Sequence, residues 1–240
     1  MKKTIALLLC AGLLLCACCV PEAPPEKVKV AVLAAMKMEA RHLESRMDNA
    51  RTVKIACNKF TRGQIGGAEV ALCQSGMGLD KAEAGARALI ENFQPDVLVL
   101  CGMSGGIVPE MGLYGTVIAD AVYPTWTSDW IAVPTDKALV KRAAKVLGKD
   151  ARVASISTGD KMTWRKSDYD KISKACGAVA VDQESYAVAR AAQEAGVPLL
   201  IIRSMSDTYD NTSLLGFFQY GPISAETAAK CAVKVIEELT

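Results

Sequence analysis

Two stretches of this chain read as strands buried on both faces. Lys27-Val28-Lys29-Val30-Ala31-Val32-Leu33-Ala34 begins as an alternation and becomes apolar throughout. Asp96-Val97-Leu98-Val99-Leu100-Cys101 is apolar after its first residue and runs directly into Gly102-Met103-Ser104-Gly105-Gly106. A strand without a polar face belongs in a sheet covered on both sides, and the rest of the chain supplies the covers. Helical spacing is read over Glu39 to Met47, Lys81 to Phe93, Lys137 to Leu147, Lys171 to Cys176, Glu184 to Ala195 and Ser224 to Leu239. Further strands are read at Val53 to Ala56, Phe60 to Ile65, Glu69 to Gln74, Tyr114 to Ala121, Val153 to Ser157, Val179 to Val181 and Pro198 to Arg203. Strands alternating with helices predict a single α/β domain over residues 28–240, with a central, mostly parallel mixed sheet flanked by helices.

The first residues belong to another physical regime. Lys2 and Lys3 precede a run without charge from Ile5 to Val20, shorter than the roughly 20 residues that cross a bilayer comfortably. Charge followed by an apolar run predicts an export signal over residues 1–17. Leu15-Cys16-Ala17-Cys18 resembles a bacterial lipobox, which makes Cys18 the expected lipidated N-terminus. The proline-rich Pro21 to Lys27 then reads as a tether, within residues 18–27. The expectation is an exported protein, lipid-anchored to a bacterial membrane and facing the periplasm or the cell surface; a cleaved signal peptide and an uncleaved anchor helix are the alternatives.

Basic residues are scattered and the net charge is +2, with aromatics at 5%. Neither a basic stripe nor a stacking platform is available for nucleic acid. Cys57, Cys73, Cys101, Cys176 and Cys231 are widely spaced and read as small buried hydrophobes. His42 is the single histidine, so no multi-histidine metal site is expected, and it reads as helix surface.

Ligands of such sheets sit at the carboxyl ends of the strands, where chemistry-bearing residues collect. Strand one ends at Met36-Lys37-Met38-Glu39, the central strand at Gly102 to Gly106, a third at Asp182-Gln183-Glu184-Ser185, and the last at Ser206-Asp207. Taken singly, an acid opening a helix is a partner for the helix dipole, and a glycine run is a turn. A Walker-type phosphate loop is excluded, because no Gly-Lys-Ser/Thr follows the glycines.

In order, Ala-Met-x-x-Glu ending at Glu39, Ser75-Gly76-Met77-Gly78, Gly102 to Gly106, Thr158-Gly159-Asp160, Val181-Asp182-Gln183-Glu184 and Arg203-Ser204-Met205-Ser206-Asp207 form a pattern. It resembles the nucleoside phosphorylase/nucleosidase superfamily, closest to the bacterial methylthioadenosine/S-adenosylhomocysteine nucleosidases, over nearly all of Val28 to Thr240. The resemblance implies hydrolysis of the N-glycosidic bond of a purine nucleoside to free base and (thio)ribose, without metal or cofactor. It implies Asp207, helped by Ser206, as the acid at purine N7, and Glu39 as the base that activates water, with Arg203 nearby. Glu184 is implied at the ribose hydroxyls, the backbone around Met162 and Thr163 with Gln183 at the base, Gly105 in close approach to it, and Phe217 over the 5′ substituent. A homodimer is implied as well, the segment around Trp126 to Pro134 completing a neighbour's pocket.

The departures from the family pattern cut both ways. Leu100 stands where the phosphorylases carry a phosphate-holding arginine, which favours water as nucleophile over the alternative of a purine nucleoside phosphorylase. Met103 replaces a serine that helps place water, with Ser104 beside it. Met162 replaces an aromatic that stacks on the purine, Gln183 a methionine and Asp182 a glutamate. These replacements motivate a second alternative, a non-catalytic nucleoside-binding or adhesive lipoprotein.

Overall fold

The computed structural model describes residues 27–55, 58–163, 165–210 and 214–239. Cys18, the export signal, the tether up to residue 26 and Cys57 lie outside the described residues. In chain order the elements are β1 (Val30–Ala34), α1 (Lys37–Glu44), β2 (Asp48–Ile55), β3 (Asn58–Ile65), β4 (Ala68–Gln74), α2 (Leu79–Phe93), β5 (Val97–Gly106) and β6 (Thr116–Pro124). They continue with β7 (Val133–Pro134), α3 (Lys137–Leu147), β8 (Arg152–Thr158), α4 (Lys166–Cys176), β9 (Ala180–Asp182), α5 (Ser185–Ala195), β10 (Leu199–Asp207) and α6 (Leu214–Glu237). Among the described residues no helix is long and apolar enough to cross a membrane.

The centre of the sheet, β4-β1-β5-β10, is parallel throughout. The expected apolar strands occupy it, and each of β1, β5 and β10 is buried along its whole length. Alternate residues feed two separate cores. Leu98, Leu100 and Ile201 pack with Ala86 and Leu89 of α2 and Val188 and Ala192 of α5. Val97, Val99 and Ile202 face the other way, onto Leu43 of α1, Val140 of α3 and Ala232 and Val235 of α6. Antiparallel pairings add β3 and β2 beyond β4, and β7 beyond β6.

The sheet also closes on itself. β5 pairs with β10, β10 with β6, β6 with β8, β8 with β9, and β9 returns to β5 at Gly105 and Gly106. This ring gathers the carboxyl ends of β5, β8, β9 and β10 around one opening.

Several boundaries differ from the sequence reading. Gly102 to Gly106 is the second half of β5, not a turn, because β10 on one side and β9 on the other satisfy its backbone. α4 begins five residues earlier than Lys171, and α6 begins at Leu214 rather than Ser224. Pro222 lies inside α6, where proline ordinarily breaks a helix. Docking overrides it: Ser224 donates to the carbonyl of Met205 at 2.6 Å, and a Cβ on Gly221 would sit 3.3 Å from the Met103 sulfur. β2 starts at Asp48 rather than Val53, and β7 was not legible at two residues in length. Tyr114, expected in a strand, has φ of 63° and precedes β6.

Candidate active site

One cavity of about 210 Å³ opens at the ring. Its walls carry Glu39, Gly105, Met162, Thr163, Gln183, Glu184, Ser206, Asp207 and Phe217, nine positions singled out from the sequence. Residues more than 160 apart in the chain meet here because four strand ends and two helix starts converge.

Each carboxylate is held differently. Glu39 lies in the first turn of α1, and one of its oxygens accepts the Met36 N–H at 2.8 Å, so it does cap its own helix. The other oxygen accepts the Met103 N–H of β5, also at 2.8 Å. Burial raises its pKa above the usual carboxylate value, against the opposing pull of the Arg203 charge and these amides. Glu184 sits at the N-cap of α5 but does not cap it. It accepts the Gly78 N–H at 3.0 Å and Arg203 at 3.1 Å, and burial again raises its pKa, with Asp182 adding to the rise and Arg203 resisting it. Gly78 presents that amide from a turn at φ of 99°, a conformation that favours glycine.

Asp207 ends β10, accepting the Ser206 hydroxyl at 2.8 Å. Burial pushes its pKa up to about 6, the Ser206 hydrogen bond acting weakly the other way. Among the described residues no cation stands within ion-pair distance of Asp207, whereas Glu184 has Arg203. Burial thus keeps the Asp207 carboxyl protonated to a higher pH than an ordinary aspartate.

The glycines of β5 are required by close approach rather than by turning. A Cβ on Gly102 would collide with the Glu39 carboxylate and the Arg203 guanidinium, and one on Gly105 would stand 2.7 Å from an Asp207 oxygen. The strand is stripped so that acids can lie across it.

Arg203, expected among the catalytic groups, does not line the cavity. It is 1% exposed beneath the floor, paired with Asp182 at 2.7 Å and Glu184 at 3.1 Å. It also donates to the Met103 carbonyl at 3.2 Å. Asp182 in turn accepts the Thr158 hydroxyl at 2.7 Å, the Ser185 hydroxyl, and the amides of Glu184 and Ser185. Arg203 thus holds Glu184 and β5 in place; it is a positioning residue. Ser104 lines the cavity, but its hydroxyl donates to the Val181 carbonyl at 2.9 Å. Leu100 is wholly buried in the hydrophobic core, remote in character from any anion site.

Met36, Met77, Lys161 and Phe218 also line the cavity and were missed. Met36 and Met77 sit inside recognised motifs, Ala-Met-x-x-Glu and Ser75 to Gly78; Lys161 and Phe218 carry no local signal, since a lone lysine or phenylalanine reads as solvent or packing. Among the described residues no group of three or more acidic, histidine or cysteine side chains is arranged to hold a metal ion. Cys73, Cys101 and Cys231 are buried free thiols, as expected, and Cys176 is partly buried. His42 is half-buried on α1.

The sequence profile of the phosphorylase superfamily matches residues 29–237. The chain belongs to that superfamily. Within the phosphorylase superfamily it is similar to a 5′-methylthioadenosine/S-adenosylhomocysteine nucleosidase of Geobacillus thermodenitrificans, 30% identical over an aligned length of 230 that covers 87% of this chain and 94% of that protein. A nucleosidase of the same name from Bacillus thuringiensis is 30% identical over 233 residues, covering 88% of this chain and all of that one. Superfamily folds already solved superpose well. The Neisseria meningitidis nucleosidase, in complex with methylthio-immucillin-A, gives a TM-score of 0.81 at 22% identity, covering 88% of this chain and 99% of that one. Futalosine hydrolase of Helicobacter pylori gives 0.82 at 21% identity, covering 88% and 98%. At that identity the likeness is one of fold.

Proposed function

We propose that this protein is an N-glycosyl hydrolase that cleaves purine nucleosides of the methylthioadenosine/S-adenosylhomocysteine kind to free base and (thio)ribose. The observation that carries the reading is the convergence of Glu39, Glu184 and Asp207 on one largely apolar cavity, with burial pushing the Asp207 pKa up to about 6. The 30% relatives are nucleosidases of that kind.

The chemistry follows from the placement. Breaking the bond between the sugar C1′ and the purine nitrogen sends its electron pair into the base, and the Asp207 proton on N7 neutralises the leaving group. The sugar is left cationic, in a site whose buried carboxylates outnumber its one buried cation, so the charge that develops is stabilised where it forms. Water adds to C1′ and gives its proton to Glu39; exchange with solvent then restores both acids. Glu184, anchored by Arg203 and the Gly78 amide, is left to grip the ribose hydroxyls. Phe217 covers the 5′ substituent.

Purified protein incubated with methylthioadenosine or S-adenosylhomocysteine should release adenine at the same rate with and without phosphate. No release from any purine nucleoside would sink the hydrolase reading. A strict phosphate requirement would instead make the protein a phosphorylase, against the burial of Leu100.

We also propose that the chain is exported, lipidated at Cys18 and dimeric. The charged start, the apolar run and the lipobox-like Leu15 to Cys18 support export and anchoring. Exposed apolar side chains at Trp126, Ile131 and Phe218 support a partner that covers them. Expressed in a bacterium, the Cys18→Ala variant should leave the membrane fraction that holds the wild type, and light scattering on the released protein should read two chains. Unchanged fractionation, or a monomer that is fully active, refutes the corresponding part.

A further inference from the structure

Tyr169 is fully buried on α4, and none of the steps above uses it. Its hydroxyl donates to the carbonyl of Thr163 at 2.8 Å, and Thr163 lines the cavity. From Asp160 to Thr163 the chain is neither helix nor strand, so side-chain fastenings decide where that wall stands. The ring of Tyr169 lies 6.3 Å from that of Tyr209, two residues beyond Asp207. Tyr209 is itself fixed, its hydroxyl donating to Asp170 at 3.0 Å and Lys166 standing 4.7 Å over its ring. Inward, Tyr169 packs in one cluster with Ile107, Ile172 and Val181, and Val181 also lines the cavity. A single side chain therefore joins the irregular wall at Thr163, the strand end at Val181 and the segment that leaves Asp207.

We propose that Tyr169 is a positioning residue for base recognition, its hydroxyl holding the Met162–Thr163 backbone in register with Asp207 across the base subsite. The inference rests on reading the cavity as a purine site. A carbonyl oxygen has two acceptor positions; Tyr169 takes one at Thr163 and leaves the other for a donor on the base. A buried tyrosine needs a partner for its hydroxyl in any fold, and here the partner is the irregular cavity wall rather than a neighbouring helix.

Calorimetric titration of adenine into the full-length wild type, Tyr169→Phe and Tyr209→Phe, with melting curves on the same samples, tests the inference. Tyr169→Phe keeps the ring and should weaken adenine binding roughly tenfold, the worth of one hydrogen bond's alignment. It should raise KM for the nucleoside by a similar factor and change kcat less. Tyr209→Phe removes a hydroxyl of the same cluster that touches Asp170 instead of the cavity wall, and should bind adenine as the wild type does. Adenine affinity in Tyr169→Phe within about twofold of wild type, or an equal loss in Tyr209→Phe, overturns the proposal. If the wild type binds adenine but releases none from nucleosides, the hydrolase reading fails while the positioning role stands. If it binds no purine, both fall.

Discussion

Asp207→Asn is expected to lower kcat by about 10²–10⁴-fold while leaving substrate affinity nearly unchanged. The amide keeps the shape and the Ser206 contact but has no acidic proton to give to the leaving base. Because the acid must be protonated to act, kcat/KM of the wild type should fall as pH rises through about 6, and that limb should be absent from the variant. Glu39→Gln should show a loss of about 10²-fold with a different pH signature, since it removes a proton acceptor.

The same substitution should stabilise the fold, and the sign can be worked out. Burial raises the Asp207 pKa from 3.8 to about 6, so the folded chain holds that proton more tightly than the unfolded one. Below about pH 4 the carboxyl is protonated in both states and costs nothing. As pH rises through 6 the folded state must bury a charge, at up to about 3 kcal/mol. Asparagine escapes that cost, so the variant should melt higher than wild type at pH 8 and equal to it near pH 4. A buried carboxyl that merely ended the strand would give the pH-dependent gain in melting temperature without the loss of turnover. Near-wild-type turnover in Asp207→Asn or in Glu39→Gln refutes the assignment.

Arg203→Met should be the most damaging substitution for stability. The guanidinium is the buried cation between Asp182 and Glu184, and methionine fills much of its volume without its charge. Two carboxylates are then left buried together, a situation that costs about 3–5 kcal/mol and lowers the melting temperature by roughly 10 °C in a domain of this size. Loss of the cation also lifts the Glu184 pKa further, so the deficit should shrink as the pH is lowered toward 5. A second change, Asp182→Asn, removes one of the stranded charges and should recover part of the loss. An Arg203→Met protein within about 1 kcal/mol of wild type at pH 8 would show that the pair is not a structural element of the site.

The sequence by itself determined the layers and the strand ends. Val30 to Ala34, Val97 to Cys101 and Leu199 to Ile202 are apolar on both faces, and such strands have nowhere to go but the middle of a covered sheet. The carboxyl ends of those strands were therefore legible, and with them Glu39 and Asp207, while Glu184 was found through the Val181 to Glu184 motif. Local signals failed where long-range packing outweighed them. Gly102 to Gly106 reads as a turn because glycine frees the backbone; it is a strand because β9 and β10 flank it and two acids lie across it. Pro222 reads as a helix stop, yet α6 runs through it because Ser224 and Gly221 dock that helix on β10 and Met103. Only the tertiary structure decided that Arg203 is beneath the floor rather than in the wall, since its partners Asp182 and Glu184 lie some twenty residues away in sequence and on different elements. It also decided which groups stand beside each acid. Glu39, Glu184 and Asp207 are all buried, and no local signal tells that Arg203 stands beside Glu184 and within reach of Glu39 while, among the described residues, Asp207 has a Ser206 hydrogen bond and no cation. That difference in electrostatic surroundings exists only once the ring of strands has closed.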